Sequence, residues 1–203
     1  MTFFYFIRHG QTLGNTQGIS QGTINTEIAY LNEHGKAQAQ KLHDHFDVAF
    51  ADRIIASPLV RTQQTAEIIN QTANLPIEFD DRIKEISYGD WDGTKKSELK
   101  KDYPDLFSTI SGDVVPEYYT TAHGESFPDV ENRVAEFVKD MSAKYPDEKL
   151  IVVSHGFTIR SAVVNALQVK DPFAVPEPEN TSVTKISVLD NGQQVLEFFN
   201  RVY

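Results

Sequence analysis

The sequence predicts an α/β fold, a three-layer α/β/α sandwich whose sheet is mostly parallel with an antiparallel edge strand. Short apolar runs that are typical of buried strands stand at residues 3–7, 53–56 and 150–153, and helical segments separate them. Strands that alternate with helices favour a parallel sheet covered on both faces. The dipeptide Asn191-Gly192 lies between two further apolar runs and indicates a hairpin, which adds antiparallel pairing at one edge.

Size and composition favour one domain. The chain has 203 residues, 40% of them hydrophobic, which is enough for one sizeable core. We therefore predict a single domain over residues 1–203. A small cap-like insert is expected at about 94–128, where a segment rich in Gly, Pro and aromatic residues shows no strong period.

Composition also excludes several classes of function. The sequence contains no cysteine, so disulfides, thiolate–zinc sites and a cysteine nucleophile are excluded. A formal net charge of -10 argues against nucleic acid or an acidic membrane as a partner. The amino end lacks the pattern of a signal peptide, and no apolar run is long enough to cross a bilayer. We therefore expect a cytoplasmic protein.

The first strand leads directly into polar residues. The run at 3–7 is followed by Arg8, His9 and Gly10. Ligands of open α/β sheets bind just beyond the carboxyl ends of the strands, so Arg8 and His9 stand where a bound anion would be handled. Gly10 permits a tight turn there and a close approach of its backbone N–H to a ligand.

The first half of the chain continues with a loop, a helix, a strand and a second helix. Residues 15–30 are polar and rich in turn residues, so we predict a long loop, which in a compact domain usually serves a site. Asn32 is suited to cap a helix over residues 32–46. A short β-branched run at 53–56 predicts a strand, and apolar residues at helical spacing predict a helix over 59–74.

Arg61 falls in the first turn of that second helix. Cations are disfavoured at this positive end of a helix dipole. A bound anion would explain the arginine, because the helix N-terminus and the guanidinium group could both bind it. An ordinary exposed arginine is the alternative.

The middle of the chain is less regular. Residues 77–79 predict a short strand, 80–93 form an irregular charged segment, and a short helix is expected at 94–103. Ser126 and Asp129 have the spacing of a capping box, which predicts that a long helix begins there.

The last third contains the clearest buried strand, at 150–153. It is followed by His155 and Gly156, and then by a helix with an apolar inner face. Apolar runs at 182–189 and 195–199 predict the two strands of the hairpin.

Four charged or titratable side chains are predicted to meet at one edge of the sheet. Parallel strands end on the same side, which brings Arg8, His9, Arg61 and His155 around one point. The backbone N–H of Gly156, at the start of the following helix, is expected to bind there as well. The strand-end motifs contain no carboxylate, so we expect neither a dedicated metal site nor a cofactor.

This set of residues suits a phosphoryl group. Arginines neutralise its charge, and a neutral imidazole can attack the phosphorus. The leaving oxygen then needs an acid to protonate it. Glu85 is the candidate, although the residue pattern alone does not distinguish it from Asp80, Asp81 or Asp90.

The motifs together resemble those of the histidine phosphatase superfamily, in its phosphoglycerate-mutase-like branch. The resemblance covers nearly the whole chain in the right order. It is carried by Arg8-His9-Gly10-Gln11-Thr12 with Asn15, Leu31-Asn32-Glu33-His34-Gly35, the run from Ser57-Pro58-Leu59-Val60-Arg61 to Thr65-Ala66, Glu85 with Gly89, Trp91 and Gly93, Gly124-Glu125-Ser126, and Ser154-His155-Gly156.

The resemblance implies a role for each matching residue. His9 would be the nucleophile that becomes phosphohistidine, Glu85 the proton donor, and His155 the residue that stabilises the transferring phosphoryl group. The oxygens of that group would be bound by Arg8, Asn15 and Arg61. The implied enzyme is a metal-independent phosphomonoesterase that acts on a small phosphorylated metabolite.

The chain departs from the family pattern in three places. Asp92 stands where the family often has Glu, and residues 20–30 are longer and less regular than usual. The span from Gly93 to Gly124 is short for a glycolytic mutase, and its only cationic side chains are four lysines that we place on one helix. We therefore favour a phosphatase, with phosphoglycerate mutase-type transfer as the alternative.

Two further alternatives come from other classes. Residues 90–94 spell the D-x-D-G-T signature of magnesium-dependent phosphatases with an aspartate nucleophile, but that motif needs a buried strand before it, and residues 84–89 make a poor one. A non-catalytic phosphate-binding regulator on the same fold is the other. The presence of a nucleophile, an acid and two arginines argues against it.

Overall fold

The computed structural model describes residues 1–109 and 111–203, and within them six strands form one sheet in the order β3-β2-β4-β1-β5-β6. The strands are β1 (Thr2–Arg8), β2 (Arg53–Ala56), β3 (Ile77–Phe79), β4 (Lys149–Ser154), β5 (Val183–Val188) and β6 (Gln194–Arg201). The first four are parallel to one another, whereas β5 pairs antiparallel with β1 and β6. The predicted fold class and its antiparallel edge are confirmed.

Seven α-helices accompany the sheet in the described residues. They are α1 (Leu13–Thr16), α2 (Glu33–His45), α3 (Val60–Ile69), α4 (Lys96–Asp102), α5 (Tyr118–Ala122), α6 (Phe127–Lys144) and α7 (Gly156–Leu167). None of these helices has the length and apolar character needed to span a membrane.

Side chains of β1 alternate between two hydrophobic cores, one on each face of the sheet. Phe4 and Phe6 enter the core that also holds the apolar residues of α6 and α7, and Ile7 enters the core that also holds those of α2 and α3. This alternation follows from the two-residue period of a strand. Fully burying each of these side chains stabilises the fold by roughly 1.5–3 kcal/mol, and the two cores make the layers of the predicted sandwich.

The predicted helix caps are present. Asn32 Oδ1 accepts a hydrogen bond from the backbone N–H of Gly35 (2.8 Å) at the start of α2. Ser126 and Asp129 form the capping box of α6, in which Ser126 Oγ accepts from the Asp129 N–H at 3.3 Å. Because these bonds satisfy backbone donors that a helix leaves free, they fix where α2 and α6 begin.

Most predicted helices and strands differ from the structure by one or two residues at their ends, and three predicted segments need comment. The loop predicted at 15–30 contains the end of α1 and a turn of 3₁₀-helix, and the helix predicted at 94–103 spans Lys96–Asp102. The helix predicted over 59–74 ends at Ile69. The cause is Asn70, whose amide accepts from the N–H of Leu75 (2.8 Å) and donates to its carbonyl oxygen (2.9 Å), which closes a turn.

Residues of the predicted insert pack as an aromatic cluster beside the irregular segment 80–93. Trp91 stacks on Phe107 with ring centroids 5.9 Å apart, and it also contacts Tyr118. The Tyr118 hydroxyl lies 3.0 Å from the carbonyl oxygen of Ser87 and 2.6 Å from that of Glu125. The insert is thereby attached to the segment that contains Glu85.

Candidate active site

β1 carries Arg8 and His9 to the carboxyl edge of the sheet. The backbone N–H of His9 donates to the carbonyl oxygen of Ser154 at the end of β4 (3.0 Å). From the other side, Asn180 Nδ2 donates to the carbonyl oxygen of His9 (2.8 Å). The backbone at His9 is therefore held by both neighbouring parts of the chain.

One nitrogen of the His9 ring is committed, and the other is available to react. Nδ1 lies 2.7 Å from the carbonyl oxygen of Gly10. A carbonyl oxygen only accepts, so Nδ1 carries the proton and Nε2 carries the lone pair. Burial, followed by the charges of Arg61 and Arg8, holds the pKa of His9 well below its ordinary value. His9 is therefore a neutral imidazole with a free Nε2.

Gly10 lies at a close approach between the turn after β1 and helix α2. A Cβ on Gly10 would lie 2.5 Å from the carbonyl oxygen of Gly35, so a larger residue would push the two segments apart. The Gly10 N–H donates to Thr65 Oγ1 in α3 (3.0 Å). This glycine lets the segment after His9 lie against both helices.

Two residues with amide side chains follow Gly10: Asn15 in α1 and Gln21 in the loop after it. Thr12 and Asn15 form the capping box of α1, in which Asn15 Oδ1 accepts from the Thr12 N–H (3.0 Å). The Thr12 hydroxyl lies 2.9 Å from Gln21 Oε1. Since Thr12 engages the oxygen of each amide, the NH₂ groups of Asn15 and Gln21 are the ends that can donate to a ligand.

Arg61 is only 1% exposed, although it lies in the first turn of α3. Its Nε donates to His155 Nδ1 (3.2 Å), Nη1 donates to the carbonyl oxygen of Ile24 (3.2 Å), and Nη2 donates to that of Gly22 (2.7 Å). A guanidinium group has five N–H donors, so two remain for an anion. Burial lowers the pKa of Arg61 to about 10, which leaves it charged at neutral pH.

His155 lies between Arg61 and Ser57. Its Nδ1 accepts from Arg61, so Nε2 carries the proton and donates to Ser57 Oγ, 2.8 Å away. Burial, followed by the charge of Arg61, holds the pKa of His155 well below its ordinary value. The His155 and His9 rings meet edge to face, with centroids 5.3 Å apart.

Glu85 is one of the two carboxyl groups that line the pocket, and it stands near the start of α7. Its two oxygens accept from the backbone N–H groups of Ile86 (3.1 Å) and Phe157 (3.4 Å). Burial raises the pKa of Glu85, and the negative charge of Glu177 raises it further, whereas Arg61 and Arg8 oppose the rise. Burial and Glu177 thus favour the protonated acid.

Arg133 of α6 holds the segment that carries Glu85. Its guanidinium group donates to the carbonyl oxygens of Arg82 (2.6 Å), Lys84 (2.8 Å) and Glu85 (3.2 Å). It also binds the carboxylate of Glu125 at 2.6 and 3.0 Å. An irregular segment is therefore fixed by hydrogen bonds to one side chain.

A pocket at the carboxyl edge brings most of the predicted residues together. Its lining consists of Arg8, His9, Asn15, Ile19, Ser20, Gln21, Gly22, Arg61, Glu85, Tyr88, Lys96 and Glu177. His155 is fully buried behind Arg61. Gly156 faces the carboxylate of Glu177, since a Cβ on it would lie 2.4 Å from Glu177 Oε2. Five of the seven predicted residues thus line the pocket, and His155 and Gly156 lie beside it.

The other carboxylates considered from the sequence face elsewhere. They pair with neighbouring cationic or titratable side chains: Asp80 with Arg82 (2.7 Å), Asp81 with Lys84 (2.9 Å) and Asp90 with His123 (2.8 Å). None of the three lines the pocket, whereas Glu85 does. The position of Glu85 in the pocket therefore distinguishes it from the other three carboxylates.

The geometry required by the D-x-D-G-T alternative is not formed. Residues 84–89 make no strand, and Gly89–Trp91 is a turn of 3₁₀-helix. Asp92 instead accepts hydrogen bonds from Thr23 and from the N–H of Tyr88 (2.8 Å). Asp92 therefore ties the loop beneath Arg61 to the segment of Glu85.

A larger cavity lies at the opposite edge of the sheet, at the start of β1. Thr2, Val138 and Leu189 contribute to its mostly apolar wall, and no histidine lines it. The groups that can bind and transfer a phosphoryl group are therefore at the carboxyl edge.

Several residues of the pocket have no signal in the sequence. Gln21, Tyr88 and Lys96 lie in segments without a strand-end pattern, and Glu177 lies in the proline-rich segment before β5. Each of these residues is brought to the pocket by contacts between its segment and parts of the chain that are distant in sequence. Ser57 is different, because it directly follows β2 and could have been found by the strand-end argument.

The sequence matches the model of the histidine phosphatase superfamily (branch 1) over residues 4–201. The chain therefore belongs to this superfamily. A phosphohistidine mechanism is general to the family, and the predicted enzyme class, a histidine phosphatase, is confirmed.

Curated relatives and solved structures agree with this assignment. The chain is 33% identical over 181 residues to the uncharacterized phosphatase PhoE of Bacillus subtilis, covering 89% of this chain and 83% of that protein. It is 32% identical over 161 residues to phosphoserine phosphatase 1 of Hydrogenobacter thermophilus, covering 79% and 74%. The solved structure of Bacillus stearothermophilus YhfR superposes with a TM-score of 0.89 at 28% identity, covering 100% of this chain and 98% of that one.

Proposed function

We propose that the protein hydrolyses small phosphomonoesters in two steps through a phosphohistidine on His9. The observation that carries the proposal is the hydrogen bond from His9 Nδ1 to the Gly10 carbonyl oxygen, which leaves Nε2 as a neutral nucleophile in a pocket with two arginines. Those arginines, Arg8 and Arg61, bind the phosphoryl oxygens together with Asn15.

In the first step the lone pair of His9 Nε2 forms a bond to phosphorus, and the ester P–O bond breaks. The leaving oxygen takes the proton of Glu85, so the alcohol departs and Glu85 becomes a carboxylate. His155 holds Arg61 in place through Nδ1, so it supports phosphoryl binding through that arginine, and the backbone N–H of Gly156 contributes to the binding. The raised pKa of Glu85 supports this role, because the acid must hold its proton before the step.

In the second step a water molecule attacks the phosphorus of phosphohistidine. The carboxylate of Glu85 takes one proton from the water, and the N–P bond breaks as the new P–O bond forms. Inorganic phosphate leaves, and His9 and Glu85 return to their starting states. Guanidinium groups supply the positive charge in this scheme, and we propose that no metal is needed.

Hydrolysis is favoured over mutase-type transfer. Of the four lysines in the span between Gly93 and Gly124, Lys96 lines the pocket, and its ammonium group is already paired with Asp113 at 3.2 Å. The second phosphate of a bisphosphate would have to compete with Asp113 for the ammonium group of Lys96. A cytoplasmic setting and one domain over residues 1–203 complete the proposal.

The test is turnover of nitrophenyl phosphate and of a panel of alkyl phosphates in the presence of a strong chelator. We expect release of inorganic phosphate to be unchanged by the chelator and to exceed any interconversion of phosphoglycerates. Activity that disappears with the chelator, or efficient bisphosphate-primed mutase turnover, would contradict the proposal.

A further inference from the structure

The pocket for an anion contains a carboxylate that the two-step scheme does not use. Glu177 lines the pocket, and its Oε2 lies 3.6 Å from Arg8 Nη2. Among the described residues this loose ion pair is its only polar contact, and its side chain is 25% exposed. A fixed negative charge at this place repels a bound phosphate, so it calls for an explanation.

The segment that carries Glu177 is anchored to the site. Arg8 Nη1 donates to the carbonyl oxygen of Pro178 (2.5 Å), and Asn180 binds the backbone of His9. The carboxylate packs against Gly156, since a Cβ there would lie 2.4 Å from Glu177 Oε2. These contacts keep Glu177 within the pocket.

Different N–H donors of Arg8 face the phosphoryl group of a substrate and the carboxylate of Glu177. Its Nε is buried and has no hydrogen-bond partner in the described part of the chain, and Arg8 lines the pocket, so we assign this donor to a phosphoryl oxygen. Nη2 of the same guanidinium group faces Glu177. A phosphoryl group bound to Nε would lie on the other side of the guanidinium group from the carboxylate of Glu177. The distance between the two is then short enough for a small substituent of the substrate to span.

Charge balance indicates what that substituent is. Arg8 and Arg61 are cationic, Glu177 is anionic, and Lys96 is neutralised by Asp113. With a phosphomonoester dianion bound and Glu85 protonated, the pocket carries one excess negative charge. A cationic group on the substrate beside the ester would cancel it, whereas a carboxylate would add to it.

We propose that Glu177 selects phosphomonoesters that carry an ammonium group about two carbons from the ester oxygen. This inference rests on the proposed phosphatase activity and adds the substrate class. Glu177 would accept hydrogen bonds from the ammonium group while the arginines bind the phosphoryl group.

The test compares two substrates that differ in one group, 2-aminoethyl phosphate and 2-hydroxyethyl phosphate. We expect the wild-type enzyme to give a kcat/KM roughly two- to fivefold higher for the amine, which is the effect of a partly shielded ion pair. The ratio is informative because any influence of Glu177 on Arg8 or on Glu85 acts on both substrates equally. A wild-type ratio of one or less overturns the inference without any variant.

Glu177→Gln supplies the second arm. The ratio should fall to about one, because the amine loses its anionic partner and the hydroxyl analogue has no such partner to lose. Glu179→Gln is the matched control, since it removes the same charge from an exposed glutamate two residues away and should leave the ratio unchanged. A ratio that Glu177→Gln does not alter would show that Glu177 only neutralises Arg8.

Nitrophenyl phosphate separates this inference from the proposed function. Hydrolysis of it by the wild type, together with no preference for the amine, rejects the ammonium site and leaves the phosphatase intact. No hydrolysis of any ester rejects both.

Discussion

The pocket has two corners built around its two arginines, and they differ in how completely their polar groups are bonded. The inner corner consists of Ser57, Arg61 and His155, which are 0%, 1% and 0% exposed and hydrogen-bonded to one another in a chain. The outer corner consists of Arg8 and Glu177, whose side chains are 17% and 25% exposed and whose ion pair is loose at 3.6 Å.

The difference indicates a division of labour. Groups that are buried and joined by several hydrogen bonds cannot move without breaking them, so the inner corner offers fixed charge to a transition state. In the outer corner, Arg8 Nε has no hydrogen-bond partner among the described residues, and Glu177 has one loose ion pair. These two groups can therefore bind a substituent of the substrate. We therefore assign fixed support of the phosphoryl group to the inner corner and selection of the substrate's substituent to the outer one.

Charges from both corners act on the pKa of Glu85. Of the substitutions considered below, replacing Glu85 should reduce activity the most. Arg61 and Arg8 lower its pKa, whereas burial and Glu177 raise it. Glu85→Gln keeps the size of the side chain but removes the proton, so we expect a loss of about 10²–10⁴-fold on alkyl phosphates. On nitrophenyl phosphate, whose leaving group needs no protonation, the loss should be much smaller.

The pH profile gives a second readout of the same acid. Since only protonated Glu85 is active in the first step, activity should fall as pH rises through its raised pKa, and Glu85→Gln should lack that alkaline limb. Removing the charge of Glu177 lowers the pKa of Glu85, so Glu177→Gln should move the limb to lower pH. Asp90→Asn, at an exposed carboxylate outside the pocket, is the control. If Glu85→Gln reduced activity equally on alkyl phosphates and on nitrophenyl phosphate, Glu85 would serve binding or structure instead of proton transfer.

The two arginines themselves test the contrast directly. Arg61→Lys loses hydrogen bonds to His155, Gly22 and Ile24 that an ammonium group cannot reproduce together. We expect roughly a 10²–10³-fold loss of kcat/KM on nitrophenyl phosphate and a lower melting temperature. Arg8→Lys should cost only about tenfold, because its surroundings are more open. Similar losses and similar melting temperatures for the two variants would remove the distinction between the corners.

A smaller effect is expected at Ser57. Ser57→Ala removes the acceptor for His155 Nε2–H and leaves a buried donor unpaired, which costs about 1–3 kcal/mol of unfolding free energy. Activity should fall severalfold as His155 loses its orientation. Ser161→Ala is the control, because its buried hydroxyl bonds the Phe157 carbonyl oxygen within α7, away from the pocket. A Ser57→Ala protein as stable and active as the control would contradict the role given to the inner corner.

The same contrast explains which parts of the site the sequence could predict. His9, Arg61 and His155 follow strands or begin helices, and the hydrophobic pattern locates those strands and helices from local sequence. Parallel pairing then brings them together without further information. Most of the helix and strand positions were predictable for the same reason, and errors arose where a side chain such as Asn70 ended a helix early.

In the outer corner, Arg8 ends β1 and was predicted, whereas the position of Glu177 was not predictable because it depends on where an irregular segment lies. Glu177 enters the pocket from a segment without periodicity, and that segment is placed by long-range bonds to Arg8 and His9. Glu85 was one of four equivalent carboxylates in the sequence. Arg133 singles it out by binding backbone carbonyl oxygens of its segment, and no local pattern encodes those contacts.

The most direct measurement of the central claim is to trap the covalent intermediate during turnover. After rapid quenching with a labelled phosphomonoester, the account predicts an acid-labile, base-stable phosphoryl group on His9, and its disappearance in His9→Ala. Peptide mapping identifies the site of labelling. A label on His155 or on an aspartate, or undiminished labelling in His9→Ala, would contradict the account.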